Sequence, residues 1–161
     1  MPADPRPPQE AFLDECLFFS ANRIARAITR MAEEAFAPTG MSPMYAYVVK
    51  LAAAAPGSPQ KELAEKLAIA PSTLTRFLDK LELQGLVRRR GEGKSVRIDP
   101  TDAGLRLVPE LNAASRRLRG QYEALLGPEA ARALSDDLTA ASAELQAELR
   151  RPSRPQSEHG R

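Results

Sequence analysis

The chain has 161 residues, the length of one domain or of one lobe with an extended helical arm. Hydrophobic residues make up 43% of it and aromatic residues 5%, with no tryptophan, so we expect an interior packed from alanine- and leucine-rich helices. The net charge is +2, no run of about eighteen apolar residues indicates a membrane span, and one cysteine excludes an intrachain disulfide framework. These features predict a cytoplasmic protein.

Six helices and one β-hairpin are predicted between two proline-rich, polar tails, residues 1–8 and 151–161, which we expect to be disordered. The first helix, residues 9–37, has apolar residues three or four positions apart along its length. Thr39-Gly40 ends this helix. Ser42-Pro43 then begins the next one as a capping residue followed by proline.

The two helices that follow form a predicted helix-turn-helix. We expect Ser58 to cap the first, with Pro59 as its first residue, and a break at residues 68–70 to separate it from a helix that begins at Pro71. The second helix turns four apolar residues inward: Leu74, Phe77, Leu78 and Leu81.

The outer side of the second helix is polar and basic. Its candidate DNA-binding residues are Ser72, Thr73, Thr75, Arg76 and Lys80. Small hydroxyls allow close approach to phosphates and bases, and arginine can reach both major-groove acceptors of guanine. This helix is therefore predicted to read the major groove of double-stranded DNA, although charged helix faces are often only solvated surface.

Basic charge is concentrated on the hairpin from Leu86 to Ile98. It has one anion, Glu92, and five cations, a net charge of +4. The expected turn is Gly91-Glu92-Gly93. A cationic hairpin beside a recognition helix is typical of phosphate contacts, and it indicates a winged helix-turn-helix. The candidate residues are Arg88, Arg89, Arg90, Lys94 and Arg97.

Two further helices are predicted. One runs from about Asp102 to Leu126, and the other starts at Gly127-Pro128-Glu129 and continues to about Leu149. Their apolar stripes, together with that of the first helix, exceed what a small winged-helix lobe can bury. We therefore expect a homodimer, in which residues 9–37 and 107–150 form dimerisation helices and residues 42–106 form the DNA-binding lobe. Packing of these helices onto their own domain is the alternative.

The chain resembles the MarR family of bacterial transcription regulators. The similar phrases are SPMYAYVVKLA before the helix-turn-helix, ELAEKLAIAPSTLTRFLDKLELQGLVRR across it and PTDAGLRL after the wing. The resemblance extends from about Phe12 to Leu149. It implies a mainly α-helical fold, with a winged helix-turn-helix, a small β-hairpin wing and long N- and C-terminal dimerisation helices. It also implies a transcriptional regulator, in most members a repressor, that binds palindromic operators as a homodimer and is released by a small effector.

The resemblance places Ser72, Thr73, Thr75 and Arg76 at positions that contact the major groove and phosphates. The arginines at residues 88–90 fall where the first wing strand begins. The chain departs from the family in two ways: Ala70 stands where many members have an acidic cap, and the wing lacks a longer loop with an Asp-x-Arg pattern.

The effector implied by the resemblance is a small aromatic or phenolic compound, bound between the dimer helices and the DNA-binding lobe. No cofactor, metal site or catalytic constellation is expected, because the single histidine, His159, lies in the C-terminal tail. The chain is therefore not expected to be an enzyme. The candidate effector-binding residues, for which simple core or interface packing is the alternative, are Phe19, Arg23, Met44, Tyr45 and Tyr47.

Cys16 is a candidate redox residue. The segment LDECLFFSANR resembles the first helix of the family's peroxide-sensing branch, but counted back from Arg23 the cysteine is one residue out of register, about 100° around a helix. This offset favours a small hydrophobic role for Cys16. A peroxide-sensing regulator and an architectural or protein-binding winged-helix module are the alternative functions.

Overall fold

The computed structural model describes residues 11–92 and 95–151, which form two compact units, one extending to Leu118 and the other from Arg119 onward. Within these ranges, no helix is both long and apolar enough to cross a membrane. The helices are α1 (Phe12–Glu15), α2 (Leu17–Phe36), α3 (Pro43–Ala54), α4 (Gln60–Lys66), α5 (Pro71–Leu83), α6 (Asp102–Leu126) and α7 (Pro128–Leu149). The strands are β1 (Ser58–Pro59), β2 (Val87–Glu92) and β3 (Ser95–Pro100).

The N-terminal helical segment is interrupted at Cys16. This residue has extended backbone angles, φ −88° and ψ 115°, so that α1 ends before it and α2 begins after it. The prediction of one continuous helix over residues 9–37 is therefore wrong at this point. The apolar spacing runs through the break and so carries no sign of it. Residues 9 and 10 and the predicted tails, apart from residue 151, lie outside the described residues.

The start of α4 also differs from the prediction. Ser58 and Pro59 form strand β1, pairing with Ile98 and Arg97 of β3. The Ser58 hydroxyl donates to the carbonyl of Ala55 at 2.8 Å, so it does not cap the helix. Pro59 is the N-cap residue of α4 instead of its first helical residue. Both predictions failed because the partner strand is distant in sequence, where local helix signals give no information about it.

The wing belongs to a three-stranded antiparallel sheet with strand order β1-β3-β2. Strand β2 continues to Glu92, which pairs with Ser95. The predicted turn is therefore wrong at Gly91 and Glu92, because strand pairing continues through both residues. Gly93 and Lys94 lie outside the described part of the chain.

The core of the first unit lies between α2, α3, α4, α5, α6 and the sheet. Three of the four residues predicted to face inward from α5 are fully buried, and Phe77 is half-buried. The largest fully buried side chains are Phe36, Val48, Val49, Leu63, Leu74, Leu78, Leu81, Val87, Ile98 and Leu111. One face of α5 packs against this core, and its other face is open to solvent.

Both ends of the described chain leave large apolar side chains exposed. In the first unit Leu17 is 64% exposed, and Phe12 and Phe18 are similarly open. In the second unit Leu145 is 57% exposed and Leu149 is 85% exposed. The sequence predicts more apolar surface than one chain can bury, and these side chains are indeed exposed in the single chain. The assignment of these helices to dimerisation stays a prediction.

Candidate nucleic-acid interface

The predicted recognition helix is α5. Its first residue is Pro71 and its N-cap is Ala70, both as predicted, and the preceding turn places Ala68 in the left-handed region at φ 51°. Because Leu74, Leu78 and Leu81 are buried, the opposite side of the helix faces solvent. The predicted DNA-binding residues on that side are all exposed, except for half-buried Thr73: Ser72, Thr73, Thr75, Arg76 and Lys80.

These side chains differ in how far they are engaged within the protein. The Thr75 hydroxyl donates to the carbonyl of Pro71 at 3.0 Å and accepts from the Gln60 amide at 2.9 Å, which joins α4 to α5. The Lys80 ammonium lies 4.9 Å from the centroid of the Tyr45 ring. Among the described residues, none forms a hydrogen bond or ion pair with the Arg76 side chain. Arg76 can therefore reach outward from the middle of the helix.

Strand register sorts the wing arginines onto two faces. Arg88 pairs with Asp99 and Arg90 with Arg97, so alternation places these four side chains on one face of the sheet. Arg89 pairs with buried Ile98 and belongs to the other face. These four side chains, here called the outer face, comprise three cations and one anion, whereas Arg89 lies on the side of the core and α5.

Asp99 organises the outer face. Its carboxylate is paired with the Arg90 guanidinium, and Asp99 is only 8% exposed. The hydrogen bond from Arg90 lowers the pKa of Asp99 below its ordinary value, burial opposes this, and the charges of Arg90 and Arg88 add to the lowering. Arg97 donates to the carbonyl of Gly57 at 2.9 Å, which ties β3 to the segment before α4. The outer face is therefore cationic and held in place by internal contacts.

The structure brings α5 and the wing together, as the sequence predicts, but it also shows partners that sequence reasoning missed. Gln60 contacts the recognition helix, and Asp99 neutralises part of the wing charge. The alternation of side chains along β2 is the signal that could have separated Arg89 from Arg88 and Arg90. The assignment of individual residues to DNA contact stays a prediction.

The five candidate effector-binding residues have several different neighbours. Phe19 packs edge-on against Phe18, with ring centroids 5.4 Å apart. The Tyr45 ring lies 4.6 Å from that of Phe77, and the Tyr47 ring 5.7 Å from that of Phe36. These are packing contacts, the alternative role that the sequence left open. The remaining two, Arg23 in an ion pair with Asp14 at 2.8 Å and Met44 at 36% exposure, lie partly in solvent.

Cys16 is half-buried at the junction between α1 and α2. Its backbone N–H donates to Phe12 and its carbonyl accepts from Ser20, so hydrogen bonding continues across the break. Arg23, about two helical turns further along the sequence, makes its ion pair with Asp14.

Comparison with known proteins identifies the fold. The family model described as MarR family matches residues 46–94, which begin within α3 and end just before β3. The transcriptional repressor CouR, bound to a 23-mer DNA duplex, is 26% identical with a TM-score of 0.74, covering 83% of this chain and 96% of that one.

The segment from residue 46 to residue 94 matches the MarR family of regulators.

Two other MarR-like structures extend the comparison. CouR from Rhodococcus jostii RHA1 bound to p-coumaroyl-CoA is 25% identical, with a TM-score of 0.70 and coverage of 80% of this chain and 93% of that one. MepR from S. aureus, in a complex with DNA, has a TM-score of 0.69, with 80% and 98% coverage, but at 16% identity it supports the fold alone. Among curated proteins, no match reaches significance. The predicted resemblance to the MarR family and the mainly α-helical winged fold are confirmed.

Proposed function

We propose that this chain is a MarR-type transcriptional repressor that binds palindromic double-stranded DNA as a homodimer and is released by a small effector. The observation that carries the proposal is the exposed side of α5, where Arg76 projects beside small hydroxyls and the cationic outer face of the wing follows. This arrangement suits a helix in the major groove with a flanking hairpin on the phosphates.

The homodimer is supported by the apolar side chains that one chain leaves open at both ends. Phe12, Leu17 and Phe18 in the first unit, and Leu145 and Leu149 in the second, are more than half exposed. Scattered apolar residues are common on protein surfaces, but contiguous exposed stripes mark interaction sites. A two-fold dimer would cover them and would present two recognition helices to the two halves of a palindrome.

The effector is supported by a neighbour with a bound acyl thioester. CouR is described as a transcriptional repressor and as bound to p-coumaroyl-CoA. A phenolic compound of that kind has an aromatic ring and an anionic portion. The aromatic candidates Phe19, Tyr45 and Tyr47 and the cation Arg23 supply matching chemistry. All four also have the ring contacts or the ion pair described above.

The test is selection of bound duplexes from a random pool, followed by titration of the winning duplex and a scrambled one at several salt concentrations. We expect a palindromic consensus, two chains per duplex, and an affinity for the consensus at least about 10³-fold above that for scrambled DNA. Equal affinity for all duplexes would favour an architectural module instead. No binding to any duplex at low salt would refute DNA binding itself.

A further inference from the structure

Arg89 is held by the recognition helix. Its Nη1 donates to Oδ1 of Asp79 at 2.7 Å and to Oε2 of Glu82 at 3.3 Å, and its Nη2 donates to the carbonyl of Thr75 at 2.9 Å. The backbone N–H of Arg89 also donates to Oε1 of Glu82 at 2.9 Å. One wing residue therefore contacts three successive levels of α5, at residues 75, 79 and 82.

The charge of this cluster opposes phosphate binding. Arg89 supplies one positive charge, whereas Asp79 and Glu82 supply two negative charges, so the group as a whole has a net charge of −1. The Arg89 side chain is 24% exposed, less than half the exposure of Arg90 at 57%. A guanidinium directed at carboxylates in this way has its fork of donors occupied by the protein.

We propose that Arg89 is a positioning residue that fixes the wing to the recognition helix, and that it does not bind DNA phosphate. This inference rests on the proposed DNA-binding function. Arginine is suited to the task because its planar fork can bind a carboxylate and a backbone carbonyl at once, whereas lysine presents a single point charge. The contacts of Arg89 fix the angle between β2 and α5 in the protein before it binds DNA. The cations of the outer face are then held at a fixed distance from the DNA groove that α5 would enter.

The two possible roles of Arg89, binding phosphate or positioning the wing, predict opposite changes in DNA affinity for one substitution. If Arg89 contacts phosphate, removing its neighbour's negative charge by Asp79→Asn should strengthen DNA binding, because an anion next to the contact disappears. If Arg89 positions the wing, the same substitution weakens binding, because the guanidinium loses its shortest partner. Asp79→Asn therefore separates the two roles by the direction of the change.

The experiment measures the dissociation constant of the full-length protein for its selected duplex, across salt concentrations, for Asp79→Asn, Arg89→Lys, Arg89→Ala and the matched control Arg88→Ala. For the first three variants we expect the affinity for DNA to fall roughly tenfold. The salt slope, which is the slope of the logarithm of the affinity against the logarithm of the salt concentration, should stay unchanged. Arg88→Ala, which removes the same charge from the neighbouring and exposed position, should instead reduce the salt slope by about one. The double variant Asp79→Asn/Arg89→Ala should cost no more than Arg89→Ala alone.

The proposal is overturned if Arg89→Ala reduces the salt slope by about one, if Arg89→Lys binds like the original protein, or if Asp79→Asn binds more tightly. A double-mutant cycle of Asp79→Asn and Arg89→Ala, measured by thermal unfolding without DNA, tests the contact between the two residues independently. Additive changes in the melting temperature would also overturn the proposal. If the unaltered protein bound no duplex, the DNA-binding proposal would fail while the unfolding cycle still decided whether Arg89 and Asp79 act together.

Discussion

Arg76 and Arg88 are both exposed cations, but they lie on elements that would meet DNA differently. Arg76 lies in the middle of the recognition helix, where a side chain can reach a base edge. We expect Arg76→Ala to cost about 1–3 kcal/mol on the selected duplex and to flatten the base preference at one position. Arg88→Ala should weaken binding to the selected and the scrambled duplex to the same extent. If Arg76→Ala lowered the affinity for both duplexes equally, Arg76 would be assigned to contact with the DNA backbone instead of a base.

Asp99 makes the stability of the wing depend on pH. Its pKa is lowered in the folded state, first by the hydrogen bond from Arg90, so its contribution is fully present above the ordinary carboxyl pKa of about 3.9 and is lost as the pH falls through the lowered pKa. Asp99→Asn should cost about 1 kcal/mol of unfolding free energy at neutral pH, because Arg90 is largely exposed. The difference from the original protein should shrink in acid, as measured by urea unfolding at a series of pH values. A difference that stays constant down to strong acid would contradict this account.

Cys16→Ser tests the alternative of peroxide sensing. Because the only cation near Cys16 in sequence, Arg23, is paired with Asp14, we expect the serine variant to bind operator and to respond to oxidant as the original protein does. The measurement is operator titration before and after cumene hydroperoxide, with both proteins side by side. Release of the original protein but not of the variant would establish Cys16 as the sensor.

At this scale the sequence predicted which residues of α5 are exposed, because helical periodicity decides that directly. It could not predict that Arg89, Arg90 and Arg97 each have a partner inside the protein. Those partners depend on strand register and on the angle between β2 and α5, which are set by packing and not by neighbours in the chain.

Among the elements, the junction between the wing and α6 depends on one close approach. Thr101 caps α6 by accepting from the N–H of Gly104 at 3.1 Å, and a Cβ on Gly104 would lie 2.1 Å from the carbonyl oxygen of Leu86. The backbone of one of the two segments would have to shift. We therefore expect Gly104→Ala to destabilise the protein by about 2 kcal/mol or more, measured by thermal unfolding, despite the better helix propensity of alanine. Gly120→Ala, at a position of α6 with open space, is the control and should be neutral or stabilising.

Local signals predicted most elements well: Pro43, Pro71 and Pro128 each begin a helix, as the sequence indicates. The same reasoning failed at Cys16, where the helix breaks without glycine or proline, and at Ser58, which joins a strand that lies far along the chain. Short pairings of two residues, such as β1, have too little pattern of their own to be seen in sequence.

For the whole molecule, the proposed dimer makes the C-terminal helix essential. Deleting everything after Gly127 removes α7 with its exposed Leu138, Leu145 and Leu149, and we expect aggregated or monomeric protein with DNA affinity lost. The double substitution Leu138→Asp/Leu145→Asp keeps the helix and should give a folded monomer, as measured by sedimentation and circular dichroism. A truncated protein that remained a tightly binding, well-behaved dimer would place the interface elsewhere.

The strand order β1-β3-β2 leaves β2 with a neighbour on one side only, so its other side is an open sheet edge. An open edge invites strands of other molecules to add to it and to begin aggregates. Two features of β2 discourage this. The exposed charges of Arg88 and Arg90 repel a second copy of the same edge, and the Glu82 carboxylate accepts a hydrogen bond from the backbone N–H of Arg89 at 2.9 Å. If Arg88 and Arg90 bind nucleic acid as proposed, the same side chains would also protect the folded chain from self-association through its sheet.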